Sequence, residues 1–384
     1  ECHRTQEKDL GAALRATLPN ATFFGFTGTP VKKNDKNTYE NFGVVGEGYL
    51  DKYGIDDAVR DNATVPIRYT SRKTEWQIDE TKIDSLFDTW FADLSDEQLA
   101  QIKKRGVRLA DLVRHPKRIE LIAFDLWNHF KEYAKPDGFK AQLVAYDREA
   151  VVLYKQALDA LIASEHERQG MSKEDALRLS QEATACVYSK SQEDDKPSEN
   201  QHKNKVREQL VTWYVDDTAE DELKRRFKER HANPQILIVC DKLLTGFDAP
   251  AEAVMYLDKP LKEHTLLQAI ARTNRVADAK KKQGLIVDYI GVSKHLDEAL
   301  ASYRAEDVQN AMRDLDGLRS ELEAAHRELL VYVKGIKRTG KDVRAEYDAL
   351  IKAIGAEDEW ILFQRKVRNF VTLYEALAPD PCVI

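Results

Sequence analysis

Residues 235–250 read QILIVCDKLLTGFDAP, a short apolar run followed directly by a loop of small and polar residues. Such a run, without polar alternation, is typical of a strand buried on both faces of a parallel sheet. Residues 141–146 (AQLVAY) and 285–289 (LIVDY) repeat the pattern. Weaker strand candidates are residues 21–26, 65–70, 186–189 and 254–257. Because helical patterns lie between these strands, the sequence predicts an α/β fold, a parallel sheet with helices on both faces.

Two regions interrupt this alternation. Residues of about 72–137 have mostly helical patterns, and we expect them to form a helical insertion between two strands. After residue 291 the strand pattern stops, and large apolar side chains recur at alternating spacings of three and four. This spacing predicts one face of a single helix, formed by Trp360, Phe363, Val367, Phe370, Tyr374 and Leu377. We interpret the face as a packing stripe, rather than a cofactor site, within an all-α C-terminal domain.

The chain has 384 residues, of which 42% are hydrophobic and 33% charged, so we expect a folded globular protein of two or three domains. The four cysteines form no CxxC pair, which argues against a disulfide framework or a metal site and favours the cytoplasm. The net charge of −7 argues against a histone-like coat for nucleic acid, but a local DNA-binding groove stays open. Since no Met begins the sequence, we expect the chain to start inside a larger protein.

Two loops that follow predicted strands carry ligand-binding residue types. TGTP (residues 27–30) places small hydroxyl side chains at a strand end, where they can reach a ligand; an ordinary turn is the alternative. In the loop after residue 240, Thr245 and Gly246 can offer a hydroxyl group and free amides to a phosphate. Asp248 can bond a ribose hydroxyl or anchor a neighbouring side chain. An ordinary loop is the alternative here too.

A third segment, QAIARTNR (residues 268–275), lies on a predicted helix and just beyond it. Arg272 and Arg275 are three residues apart, so both can point at one anion. A guanidinium suits a γ-phosphate because it donates in a plane and stays charged throughout phosphoryl transfer. The alternative is a solvated basic turn. For the lysine run at 280–282 we favour a solvated loop over a phosphate contact.

The three segments in this order resemble the motor core of superfamily 2 helicases and translocases. The phrases GFTGTP, LLTGFDAP and LLQAIARTNR, with DNATVPI at residues 61–67, are most similar to the motor (R, or HsdR) subunit of type I restriction enzymes. The first residues, ECHR, resemble the end of a DECH-type Walker B box. The resemblance implies the end of a first RecA-like lobe with a linker (1–60), a second RecA-like lobe (61–291) and the start of a helical domain (292–384).

The resemblance also implies residue roles in ATP hydrolysis. Glu1 would orient or deprotonate the attacking water, and Arg272 and Arg275 would stabilise charge on the transferring phosphoryl group. The residues implied to bind ATP are Gly246, Asp248 and Gln268.

Further roles concern the coupling of nucleotide state to DNA. The resemblance implies that Thr27, Gly28 and Thr29 couple the nucleotide state to the grip on DNA. It implies that Thr245 contacts DNA, and that Arg148, which follows the strand at 141–146, does so as well.

The implied activity is ATP-dependent translocation of duplex DNA before cleavage, with methylation and specificity subunits as partners. ATP and Mg²⁺ are the implied cofactors, and upstream residues would bind most of both, because the sequence holds no GxxxxGK[ST] loop. We therefore expect this chain alone to be inactive. The alternatives are another superfamily 2 translocase and a non-catalytic module that docks partner subunits.

Overall fold

The structure, a computed structural model, describes residues 9–26, 32–33, 36–37, 42, 50–51, 53–72, 109–191, 194, 201–261, 263–291, 312–334, 343–355 and 357–377. The chain divides into two compact units, Glu1–Met312 and Arg313–Ile384. In the part of the chain that the structure describes, no helix is both long and apolar enough to cross a membrane.

The first unit is built on a parallel sheet. A small antiparallel pair, β1 (Lys32–Lys33) and β2 (Lys36–Asn37), comes before it in the chain. The strands of the parallel sheet are β3 (Ile67–Ser71), β4 (Lys140–Ala145), β5 (Thr184–Val187), β6 (Ile236–Val239), β7 (Glu252–Asp258) and β8 (Gly284–Asp288). They lie side by side in the order β5-β6-β4-β7-β8-β3, all parallel. A short strand, β9 (Met312–Asp314), spans the boundary between the units.

Helices connect the strands of the first unit and form most of the second. They are α1 (Asp9–Thr17), α2 (Ile55–Arg60), α3 (Leu109–Val113), α4 (Pro116–Tyr133), α5 (Arg148–Arg168), α6 (Lys173–Ala183), α7 (Gln201–Thr212), α8 (Asp217–Lys228), α9 (Glu263–Ile270), α10 (Leu315–Val333), α11 (Val343–Ile354) and α12 (Glu357–Leu377). Residues Lys135–Asp137 add one 3₁₀ turn before β4.

Both faces of the sheet are covered, as the side chains of β7 show. Met255 and Leu257 belong to an apolar cluster with Leu266 of α9. On the opposite face the Tyr256 hydroxyl lies 2.8 Å from Nδ1 of His129 on α4. Since adjacent side chains of a strand point to opposite faces, this alternation confirms the predicted α/β layers.

The three strongest strand predictions are confirmed by β4, β6 and β8, each within one or two residues of its predicted bounds. The weaker ones at 65–70, 186–189 and 254–257 correspond to β3, β5 and β7. The strand predicted at 21–26 is wrong, since these residues form no strand and the side chains of Phe24 and Phe26 are exposed. A short apolar run cannot by itself supply the neighbouring strand on which a ladder depends.

The described part of the second unit is helical after β9, as predicted for the C-terminal region, although the sequence did not predict β9 itself. The stripe from Trp360 to Leu377 lies on the single helix α12. Its Phe363 ring is 5.2 Å from the ring of Tyr332 on α10, and Lys366 pairs with Glu328 at 3.3 Å. The stripe therefore packs helix on helix. Of the predicted insertion, residues 109–137 include α3, α4 and a 3₁₀ turn, and residues 73–108 lie outside the described residues. The predicted domain bounds 1–60, 61–291 and 292–384 stay predictions.

Candidate functional site

Residues 240–251, hereafter the Asp248 loop, join β6 to β7. In this loop buried positions alternate with exposed ones. Phe247 is buried in the apolar cluster, whereas Thr245, Gly246 and Asp248 are exposed. Gly246 has a φ of 76°, a left-handed conformation that favours glycine. Among the described residues no heavy atom outside the neighbouring residues lies within 4 Å of the position that a Cβ would take there, so the backbone conformation, and not space, requires the glycine.

Arg272 and Arg275 both contact this loop. They lie in residues 271–275, hereafter the arginine turn, because α9 ends at Ile270. Arg272 donates from a terminal guanidinium nitrogen to the carbonyl oxygen of Phe247 at 2.8 Å. Nε of Arg275 lies 3.3 Å from Oδ1 of Asp248. Two segments that are separate in the sequence therefore form one site.

Gln268 is part of the same arrangement through its main chain. Nε of Arg272 donates to the Gln268 carbonyl oxygen at 3.1 Å, which holds the guanidinium against the end of α9. Gln268 itself is nearly buried. The predicted ATP-binding and arginine positions thus lie together, while Glu1 and Thr27–Thr29 lie outside the described residues, so their roles stay predictions.

The arginine turn is held against the sheet from two sides. On one side the Val65 amide donates to the Asn274 carbonyl oxygen at 2.8 Å, and Thr64 forms an isolated antiparallel bridge with Arg275. A Cβ on Gly284 would lie 2.5 Å from both the carbonyl and the hydroxyl oxygen of Thr273. The turn therefore packs directly on the start of β8, at a place where any side chain would displace it.

Sequence reasoning missed two buried charged residues beneath the site. Lys281 is only 3% exposed, so the solvated loop predicted for 280–282 is wrong at this position. Its Nζ donates to the carbonyl oxygens of Pro250 at 2.8 Å and Glu252 at 2.6 Å. Burial lowers the pKa of Lys281 to about 8 and raises the pKa of Glu252 to about 8. No local signal distinguishes Lys281 from its neighbours, since only the tertiary structure brings its ammonium group to these carbonyls.

Arg148 lies elsewhere, at the carboxyl ends of β4, β5 and β6. It lines a cavity of 720 Å³ together with three other basic residues and four acidic ones. Its guanidinium is ion-paired with Asp194 and lies 3.5 Å from the Ser189 carbonyl oxygen. The cavity therefore offers balanced charge rather than a purely basic surface, and the predicted DNA contact of Arg148 stays a prediction.

Asp147, beside Arg148, has a structural role. Its carboxylate accepts the Ala150 amide at 3.0 Å and so caps the start of α5. It also pairs with Arg114, which reaches Glu149 at 2.6 Å. The Asp147 carboxylate, which lines the cavity, is therefore occupied by a helix cap and an ion pair.

The described residues fit the anionic end of a nucleotide better than a metal ion. Two guanidinium groups beside a glycine loop form a set of donors suited to phosphate. Among the described residues no group of three or more His, Cys, Asp or Glu side chains is placed to hold a metal ion. Magnesium prefers several oxygen ligands, so the part of the chain that the structure describes does not fit it.

Comparison with known proteins shows which proteins the chain is related to. Residues 1–100 match the SWI2/SNF2 ATPase family, and residues 137–291 match domain 3 of the type I restriction enzyme subunit R. The chain is 35% identical over 361 residues to a protein named as the MjaVIIP endonuclease subunit of a type I restriction enzyme from Methanocaldococcus jannaschii. The chain is homologous to the R subunits of type I restriction enzymes. The match covers 90% of this chain and 32% of that R subunit.

Other R subunits and related structures give the same pattern of partial coverage. The HindI endonuclease subunit of Haemophilus influenzae is 37% identical over 309 residues, which cover 77% of this chain and 26% of that subunit. The chain thus spans about a third or less of the length of these relatives. A solved fragment named as an HsdR subunit from Vibrio vulnificus YJ016 is 18% identical, with a TM-score of 0.45, and covers 74% of this chain and 42% of that one.

Proposed function

We propose that the chain forms part of the ATP-dependent motor of a type I restriction enzyme R subunit, which moves duplex DNA before cleavage. Homology to R subunits and the match to the SWI2/SNF2 ATPase family support the class of activity. The observation that carries the proposal is the convergence of Arg272 and Arg275 on the Asp248 loop. Guanidinium groups placed in this way suit the charge of a transferring phosphoryl group.

The ion pair between Arg275 and Asp248 is weak enough for a phosphate to take the place of the Asp248 carboxylate. The Arg275–Asp248 pair is partly exposed on both sides, at 43% and 60%, so its contribution to stability is about 1 kcal/mol or less. A charge-assisted hydrogen bond contributes about 1.5–3 kcal/mol. A γ-phosphate that enters the site can therefore displace Asp248 and recruit Arg275 at small cost.

In the proposed cycle, two RecA-like lobes close around ATP and open after phosphate release. Arg272 and Arg275 would reach the phosphoryl group on closure, with Gly246, Asp248 and Gln268 shaping the nucleotide side of the junction. Glu1 would act on the attacking water from the first lobe.

The same closure would change the grip on DNA. Thr27, Gly28 and Thr29 would couple the nucleotide state to that grip, and Thr245 and Arg148 would contact the DNA. Methylation and specificity subunits are the proposed protein partners. Upstream residues of the complete subunit would bind Mg²⁺ and most of the ATP.

The test is ATP hydrolysis by the complete subunit that contains this chain, with and without duplex DNA. We expect DNA to stimulate hydrolysis, and Arg272→Ala and Arg275→Ala each to lower kcat on the order of 1,000-fold, the range observed when a phosphate-stabilising arginine is removed. Arg225→Ala is the matched control, because Arg225 is exposed on α8 and pairs only locally with Glu222 and Glu229.

Turnover that is unchanged in both arginine variants would contradict the proposed site. Absence of hydrolysis, together with DNA or partner binding that does not depend on ATP, would instead support the docking module. DNA-stimulated hydrolysis without any restriction activity in the assembled complex would support a different superfamily 2 translocase.

A further inference from the structure

The two arginines depend on the position of the Asp248 loop. Arg272 bonds to a backbone carbonyl of the loop, and Arg275 pairs with the exposed carboxylate of Asp248. A shift of this backbone would therefore redirect both guanidinium groups. A misplacement of about 1 Å in a catalytic group can cost about 100-fold in rate.

Lys281 ties the end of that loop to a separate segment. Its ammonium group bridges the carbonyl oxygens of Pro250 and Glu252 from below, and its side chain is almost wholly buried. The segment that carries it is itself fixed, because Asp278 is ion-paired with Arg230. Lys281 is thus a cross-link between an anchored segment and the residues that lead from the Asp248 loop into β7.

The charged groups around Lys281 carry more positive than negative charge, which favours an anion near the loop. Lys281, Arg272 and Arg275 face two carboxyl groups, those of Asp248 and Glu252. The Glu252 side chain is fully buried, and neither of its carboxyl oxygens accepts a hydrogen bond from any described residue. Because burial favours the protonated form of that carboxyl group, positive charge is in excess around the loop.

We propose that Lys281 is a positioning residue for Arg272 and Arg275: its buried ammonium group fixes the Asp248 loop on which both arginines are docked. This inference rests on the proposed motor function for its effect on turnover. Its structural part, the fixing of the loop, does not depend on that function. Lys281 touches no nucleotide in this arrangement and acts through the backbone that it holds.

Two readouts test the proposal in the complete subunit. Lys281→Met keeps the aliphatic stem and removes the charge and donors. We expect kcat for DNA-stimulated ATP hydrolysis to fall on the order of 100-fold with KM for ATP unchanged, because the loss affects orientation and not binding. Hydrogen exchange in peptides that cover the Asp248 loop should become faster. Lys281→Arg, which keeps the charge and two donors, should restore most of both properties.

Lys280→Met is the matched control. Lys280 is exposed and pairs with Asp137, and its loss should change neither kcat nor exchange in the loop. If Lys281→Met does not fold, Lys281→Gln, which keeps one neutral donor, replaces it with the same expectations.

The outcomes separate this inference from the proposed function. Normal kcat and normal exchange in the Lys281 variant would overturn the positioning role, whatever Arg272→Ala does. A second outcome is faster exchange in the Lys281 variant while Arg272→Ala and Arg275→Ala leave turnover unchanged. It would support the cross-link and overturn the motor assignment alone.

Discussion

Arg118 shows how a single buried charge joins the helical insertion to the sheet. Its guanidinium bonds both carboxylate oxygens of Asp258 at the end of β7, and both side chains are fully buried. The Tyr154 hydroxyl donates to the same carboxylate at 2.7 Å. We predict that Arg118→Met, which leaves Asp258 buried without its cation, lowers the free energy of unfolding by about 3–5 kcal/mol in urea denaturation.

Arg178→Met is the control at this scale. Arg178 forms two ion pairs on α6, but its side chain is 57% exposed and solvent screens both pairs, so we expect a much smaller loss of stability than in Arg118→Met. Equal losses in the two variants would show that burial of the Arg118 pair contributes nothing specific.

At the scale of elements, the start of β8 determines where the arginine turn lies. Gly284 is the first residue of that strand, and a Cβ there would fall 2.5 Å from Thr273 in the turn. We predict that Gly284→Ala displaces the turn, costs about 1–3 kcal/mol of stability, and lowers DNA-stimulated ATP hydrolysis by the complete subunit on the order of 100-fold.

Gly170→Ala is the control variant, because it introduces backbone strain without the close contact that Gly284→Ala would create. Gly170 has a φ of 92°, but no atom in the described part of the chain, its neighbours aside, lies within 4 Å of its Cβ position, so alanine there strains a surface turn without touching the site. It should lower stability and leave hydrolysis intact. Hydrolysis that survives in Gly284→Ala would contradict the close packing of turn on strand.

At the scale of the whole molecule, Glu252 links stability to pH. Burial raises its pKa from 4.5 to about 8, opposed by the positive charges of Lys281 and Arg272. Between these two values the folded state holds a proton that the unfolded state has released, so stability is lost as the pH rises. We predict that the free energy of unfolding of Glu252→Gln, relative to the wild type, rises with pH at up to about 1.4 kcal/mol per pH unit.

The comparison is made by urea denaturation of both proteins from pH 5.5 to 7.5. Lys140 and Lys281, whose pKa values burial lowers to about 8, affect stability mainly above this window. The buried thiols of Cys186 and Cys240, with pKa values raised to about 12, act above pH 9. Parallel curves for the two proteins would show that Glu252 ionises normally.

Local pattern is enough to locate the six parallel strands β3 to β8 and the residue types of the site, but it also predicts a strand at 21–26 that does not form. Continuous apolar runs predict buried parallel strands, and β4, β6 and β8 follow them closely, because burial on both faces constrains every residue of such a strand. The phrases around Asp248 and Arg272 predict the resemblance to R subunits in the same way, and homology to such subunits agrees with it, since the resemblance depends only on consecutive residues.

Tertiary structure alone brings these parts together. Arg275 meets Asp248 because β7 and β8 are parallel neighbours, so the Asp248 loop that precedes β7 and the arginine turn that precedes β8 lie at the same edge of the sheet. Tertiary structure also decides that Lys281, one of three consecutive lysines, is buried, and that Arg148 pairs with Asp194, which is 46 residues away in the sequence. Burial and pairing depend on which distant backbone approaches a side chain, and strand order, rather than local periodicity, decides that approach.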